Sequence, residues 1–281
     1  MKYHSITMTI ILCLTAIACR AQDKPLFQGE VTWKTMIMGN MATDYKGKHI
    51  IKIVYKNGSK HEYDTRLGKH VVMLPAEDRF IVYYDELKAG AEYPLNKYYS
   101  IGHTNSAYGI SQEGEFHKTD KTTQICGYDC VIYEGTKSIN QDYKAAKLQR
   151  TSTVIYHYAV CEKFDVDSIW QKKNPDMPSS GLLLKMVLDQ KQNVKNALIK
   201  GKGNYYHSEV VTEVVEREVD DAELCVPNDI EIQKFRTFPS ASPRLAELYT
   251  QNRAALKKKG LFPTQLPDND TFDTDSEWDD E

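Results

Sequence analysis

Asn57-Gly58 stands between two alternating runs, Lys48 to Tyr55 and Lys60 to Thr65. Both central residues of the tightest hairpin need positive φ, which asparagine and glycine tolerate, so this dipeptide folds the chain back on itself. The runs must then pair as antiparallel strands. In the first, Ile51, Ile53 and Tyr55 share one face, because strand side chains alternate.

The same period of two recurs along the chain. From Phe27 to Lys34, Phe27, Val31 and Trp33 alternate with Gln28, Glu30, Thr32 and Lys34, a strand with one dry and one wet face. Val71 to Leu74 and Phe80 to Asp85 flank Pro75-Ala76-Glu77-Asp78 and read as a further pair, giving a meander. Residues 86–114 are less regular, with a loop over Gly102 to Gly114. Glu115 to Ile125 reads as a polar strand entering the Cys126-Gly127-Tyr128-Asp129-Cys130 turn, and Val131 to Tyr133 continue the sheet. Residues 137–149 read as an edge loop. Thr151 to Val160, Leu182 to Leu188 and Tyr205 to Val219 are the last long strands, the third with Val211, Val215 and Val219 against charged neighbours. Eighteen tyrosines against eight phenylalanines suit half-buried sheet surfaces, with an apolar ring and a wet tip.

Helical spacing is confined to two places. Residues 164–173 carry it weakly. Ser242-Pro243 is a helix start, Leu245, Leu248, Tyr249 and Leu256 follow at helical intervals, and Gly260 fits the C-terminal cap. After Pro267 come eight acids and no base, a tail expected to be disordered. The expected organisation is a leader over 1–21, an antiparallel β domain over 22–235, and a C-terminal helix plus acidic tail over 236–281.

The leader sets the compartment. Ile6 to Ala18 is an apolar run of signal-peptide length, short of the ~20 residues that cross a bilayer. Two cuts remain open. One follows Ala21; the other follows Ala18 and leaves Cys19, in a lipobox-like Ala16-Ile17-Ala18-Cys19, for acylation. The expected location is periplasmic or outer-membrane-associated, with membrane attachment only if Cys19 is lipidated.

Four cysteines follow: Cys126, Cys130, Cys161 and Cys225. An even number in an exported chain favours disulfides, with free buried thiols as the competing reading. Cys126 and Cys130 would lie about 13 Å apart on a straight strand, too far for a bridge. If 128–136 pairs antiparallel with 151–159, Cys126 faces Cys161, leaving Cys130 for Cys225.

No G-x-S-x-G, H-E-x-x-H, P-loop or dinucleotide-binding glycine run is present. His61, Glu62 and Asp64 do not form a metal corner, because alternation sends His61 and Glu62 to opposite faces. Basic residues are spread rather than clustered with aromatics, which argues against nucleic acid. No cofactor or metal is expected, and the chain is not read as an enzyme. A long one-faced sheet with few helices leaves a groove suited to greasy ligands, unless it packs solid. Phe27, Val31, Trp33, Ile51 and Ile53 are expected to line it.

Short motifs carry a family resemblance over roughly 26–235. Phe27 to Lys34 resembles the opening strand of a group of exported Gram-negative envelope domains. Lys121 to Cys130 resembles that group's I-x-G-Y-x-C signature, Gly181-Leu182-Leu183-Leu184 the glycine-leucine segment of the GLPGLI family, and Leu224 to Pro227 the closing element. Tyr156-His157-Tyr158 departs from the tryptophan-tyrosine-threonine step, and 165–180 from the strict GLPGLI form. These families are similar to LolA-like lipoprotein carriers. The resemblance implies a mainly β fold, a curved antiparallel half-barrel with a few helices and a hydrophobic cavity, and no catalytic residue. The expected function is non-enzymatic binding of a lipid, acyl chain or apolar peptide; the alternative is an envelope interaction module with a solid core and a protein partner.

Overall fold

A computed structural model of the chain describes residues 24–39, 47–96, 110–143, 148–166, 178, 180–195 and 200–261. The leader with Cys19, residues 97–109 and 167–177, and the acidic tail from 262 lie outside them.

The fold is mainly β. Twelve strands form one open, curved sheet: β1 (Gly29–Met38), β2 (Gly47–Lys56), β3 (Ser59–Asp64), β4 (Lys69–Leu74), β5 (Arg79–Tyr84), β6 (Ala89–Pro94), β7 (Ile110–Ile125), β8 (Tyr128–Tyr143), β9 (Leu148–Cys161), β10 (Leu182–Lys195), β11 (Lys200–Glu216) and β12 (Glu231–Lys234). Their order is β12-β6-β5-β4-β3-β2-β1-β11-β10-β9-β8-β7. The meander from β1 to β6 runs one way from the centre, and the strands from β11 back to β7 run the other. All neighbours are antiparallel except β12 on β6.

Turn chemistry sets the hairpins. Asn57 and Gly58 have φ of 50° and 78°, and Lys56 pairs with Ser59. Cys126 and Gly127 repeat the arrangement at 52° and 81°, with Ile125 opposite Tyr128. Cys126 is therefore a turn residue.

Several expectations need correction. The described part of 137–149 is not an edge loop: β8 runs to Tyr143, β9 starts at Leu148, and these two residues pair inside the sheet. β6 occupies the stretch read as irregular, and β7 begins at Ile110, within the expected loop. Of the helix expected over 164–173, the described part is extended: Asp165 bridges Leu26, with Phe27 N donating to Asp165 O at 2.7 Å. Helix α1 (Phe238–Lys258) starts a turn before Ser242, directly after Thr237, whose side chain makes no capping bond, with Pro239 in its first turn and Pro243 inside it. Gly260 closes it at φ 70°, as its position implied.

Directly opposed residues of an antiparallel sheet share a face, so the registers trace rows. One runs Val31–Ile53–Glu62–Val71–Val82–Ala91 and another Trp33–Ile51–Asp64–Lys69–Tyr84–Ala89. This inner face carries α1, whose Ala241 and Leu248 pack with Val71, Phe80, Val82, Tyr84 and Tyr93. On the outer face, residues 217–230 lead from β11 to β12 and cover Val72, Ile81 and Tyr83.

Candidate functional site

Phe27, Val31, Trp33 and Ile53 meet in one inner-face cluster with Cys130, Ile132, Phe164, Leu182, Leu184 and Val211, and Ile51 packs against it half-buried. The five residues read as groove-lining thus lie together. Phe164, Leu182, Leu184 and Val211 come from strands or segments far away in sequence and join them.

Val211 shows why alternation alone misplaces part of this cluster. It lies opposite Trp33, whereas Thr32 lies opposite Glu213, so Thr212 is an extra residue in β11. The bulge shifts the parity. Val214 then packs on the cluster, and Val215, expected beside Val211, is exposed.

The cover of this half is extended chain. Phe27 meets Phe164 edge-on at 5.3 Å and Tyr55 at 5.7 Å. Lys163 Nζ stands 4.5 Å over the Phe164 ring. Tyr128 donates its hydroxyl to Glu216 at 2.7 Å; burial, then this bond, pushes its pKa up to about 12. Burial raises Tyr55 to about 12 as well.

Two buried donors on β1 stand out. Trp33 Nε1 and Thr35 Oγ1 have no hydrogen-bond partner among the described residues. Unpaired buried donors cost about 1–3 kcal/mol each.

Between the Trp33 half and the α1 half runs a polar ridge, the inward residues of β3: Lys60, Glu62 and Asp64. Lys60 and Glu62 form an ion pair. Asp64 accepts from the amides of Arg66 (2.9 Å) and Leu67 (3.1 Å). Arg66 Nη1 donates to His49 Nε2 at 2.8 Å, so His49 Nδ1 carries the hydrogen facing Asp64 Oδ2 at 3.6 Å. Burial acts to raise the Asp64 pKa, but these bonds and the His49 ring outweigh it and hold the carboxyl below its usual range.

His61 indeed points away from Glu62, to the outer face. There His61 Nδ1 donates to Glu223 O at 2.7 Å, its Nε2 meets His70 Nδ1 at 2.9 Å, and His70 Nε2 meets Asp85 Oδ2 at 3.0 Å. A carbonyl only accepts, so His61 Nδ1 holds its hydrogen and neutral His61 accepts at Nε2. The Tyr83 hydroxyl also reaches His61 Nε2, at 3.4 Å, and can donate to it. Its ring is stacked between Tyr63 and Tyr83, each 4.4 Å away. Burial and the neighbouring His70 lower the His61 pKa.

Beside this network a cavity of about 490 Å³ opens between the sheet and the 217–230 segment, lined by Lys56, Glu77, Arg79, Ile81, Asp221 and Cys225 among others. Its cations are paired: Lys56 with Asp221 at 2.7 Å, Arg79 with Glu77 at 2.8 Å. Glu223 anchors the segment by accepting both Arg217 amino groups (2.8 and 2.6 Å), which holds its pKa at about 2. Sequence reasoning found neither feature, because the contributing residues are scattered and acquire a common surface only through β-pairing.

The thiols also differ from expectation. Cys126, Cys130, Cys161 and Cys225 are all free. Val131 pairs with Val160, four residues off the assumed register, so Cys126 does not face Cys161. Cys130 is buried on the inner face and Cys225 lines the outer cavity, which separates that pair too. No cluster among the described residues is arranged to hold a metal, and no helix among them is long and apolar enough to cross a membrane.

No protein-family model matches the chain, and no curated protein does. Among solved structures it is similar to a LolA superfamily protein from Nitrosomonas europaea, at 9% identity over 73% of this chain and 92% of that one, with a TM-score of 0.29.

Proposed function

We propose that this is a non-enzymatic cell-envelope protein that binds a hydrophobic ligand, a lipid, acyl chain or apolar peptide, against Phe27, Val31, Trp33, Ile51 and Ile53. The observation that carries this reading is the unequal cover of one apolar face. Helix α1 covers the strands at one end, whereas among the described residues the Trp33 half is covered by two short non-helical segments, 24–28 and 162–166, joined to each other by one bridge. Glu162 and Lys163 tie the second segment to Lys118, Tyr133 and Glu216, but it has no internal hydrogen-bond ladder, and such chain separates from a sheet more readily than a packed helix does. The unpaired donors of Trp33 and Thr35 support a ligand bearing an acceptor, such as an ester or amide carbonyl. A free carboxylate is disfavoured, since Glu209 lies opposite Thr35 and Asp64 in the Trp33 row.

The test is to purify the protein from its native envelope, extract it with organic solvent and identify acyl species by mass spectrometry. Displacement of a fluorescent acyl ester is then compared in the wild type and in Trp33→Phe, which keeps the ring bulk and loses the donor. Bound acyl species and weaker binding by the variant support the reading. A folded protein that yields none and binds no probe overturns it. Export belongs to the same proposal, and the mass of the mature N-terminus decides between a cut after Ala21 and a cut after Ala18 that leaves an acylated Cys19.

The second reading, an envelope module with a solid core and a protein partner, has its own observation: Val31, Trp33 and Ile53 are 1%, 5% and 8% exposed and pack on one another. Its partner would be lost on deleting 236–281.

A further inference from the structure

The geometry points to a disulfide between Cys130 and Cys161, linking β8 to β9 beneath the cover of the Trp33 half. Val131 lies opposite Val160, and one more step along both strands sets Cys130 opposite Cys161. Leu182 pairs with Cys161 on the other side, so this register is held from two directions. Both cysteines are about 1% exposed and belong to the same cluster.

Opposed residues of antiparallel strands have Cα atoms about 4.5–5.5 Å apart, inside the range of about 4.4–6.8 Å that disulfides span. Their Cβ atoms, at about 4.5–5.5 Å, must close by up to about 1 Å. The Cys130 thiol now turns to Tyr128 O at 3.5 Å, so joining also needs a rotation about its Cα–Cβ bond. Neither rearrangement moves a backbone strand out of the sheet.

The chemistry is an ordinary exchange. The two thiols lose two protons and two electrons and form one S–S bond. The acceptor is the disulfide of a thiol–disulfide oxidoreductase, which breaks to two thiols. Both sulfurs are unreachable once the sheet has closed, so the bond forms while β8 and β9 are pairing. Cys126 and Cys225, both exposed, stay as thiols. Cys161 ends β9 directly before the segment that carries Phe164 across the cluster. The bond therefore fixes the point from which that cover leaves the sheet. This inference stands apart from ligand binding, and either can fail alone.

The test uses the full chain produced with its leader in a host with an oxidising envelope. It is denatured in iodoacetamide without reductant, digested and mapped by mass spectrometry. The expected result is one linked peptide pair joining Cys130 to Cys161, with Cys126 and Cys225 alkylated. Alkylation of both Cys130 and Cys161, or any other pairing, overturns it. A second readout guards against misfolded variants. Reductant lowers the Tm of the wild type, and this shift vanishes in both Cys130→Ala and Cys161→Ala. A wild type indifferent to reductant, or a shift that survives in either variant, overturns it as well.

Discussion

The inner face of the sheet has two apolar halves built by the same alternation but covered differently. At the β5–β6 end, α1 lays Ala241 and Leu248 on Phe80, Val82 and Tyr93, and buried Asn252 donates to Leu67 O at 2.8 Å, fastening the helix to the β3–β4 turn. Around Trp33 the cover, among the described residues, is Phe27 and Phe164 on non-helical segments, and two buried donors lack described partners. The polar ridge of Lys60, Glu62 and Asp64 separates the halves. The first is a core in the ordinary sense. The second combines core-like burial with a cover that, among the described residues, is not helical; each half holds a buried polar atom without a described partner, Asn252 Oδ1 in the first and Trp33 Nε1 and Thr35 Oγ1 in the second.

The sharpest contrast comes from cutting one anchor in each half. Leu248→Ala, at a fully buried position in α1, should cost about 3–5 kcal/mol and lower the Tm steeply without selective loss of ligand binding, read by thermal denaturation and probe titration. Phe164→Ala should cost less, about 1–2 kcal/mol, under the proposal that its segment separates more readily than α1. Hydrogen exchange should then rise in 24–28 and 162–166 while α1 stays protected. Equal losses, or exchange spreading into α1, would erase the distinction between the halves.

The outer face supplies a pH-dependent contrast. The His61 pKa is lowered in the fold by burial first and by His70 next. The unfolded chain therefore takes up this proton first, and stability present above the unfolded value near 6.5 is lost as pH falls through it. His157, lowered by burial, acts in the same sense. Melting curves from pH 8 to pH 5 should fall for the wild type and fall less for His61→Gln, which retains the His157 contribution. The smallest effect is expected for Lys163→Ala. It removes a cation 4.5 Å over Phe164, worth about 0.5–1 kcal/mol at such an exposed site, and should raise exchange only in 162–166.

Much of the fold is legible in the chain because its rules are local. Asn57-Gly58 needed only positive φ to place β2 against β3, and Gly260 only its lack of Cβ to close α1. The five residues expected to gather on one face do so, because Val31–Ile53 and Trp33–Ile51 are adjacent pairs of one short meander. Legibility fails where a second partner decides. Val214 replaces Val215 in the core because Thr212 bulges against β1, some 180 residues away in the chain. Residues 137–143 look like loop because their polarity suits solvent, yet β7 and β9 pair with β8 on either side.

Composition and spacing alone therefore determined that this chain would pair consecutive strands, bury Phe27, Val31, Trp33 and Ile53 on one side, and form a helix after the last strand. Those outcomes depend on side-chain period and turn conformation, which a few neighbouring residues set. Tertiary structure alone decided that Cys130 rather than Cys126 shares a buried cluster with Cys161, that His61 and His70 share a hydrogen bond, and which half of the inner face receives the helix. Each of these depends on register between distant segments. Register follows from the total packing of a face, and a one-residue slip reverses every side chain in the strand.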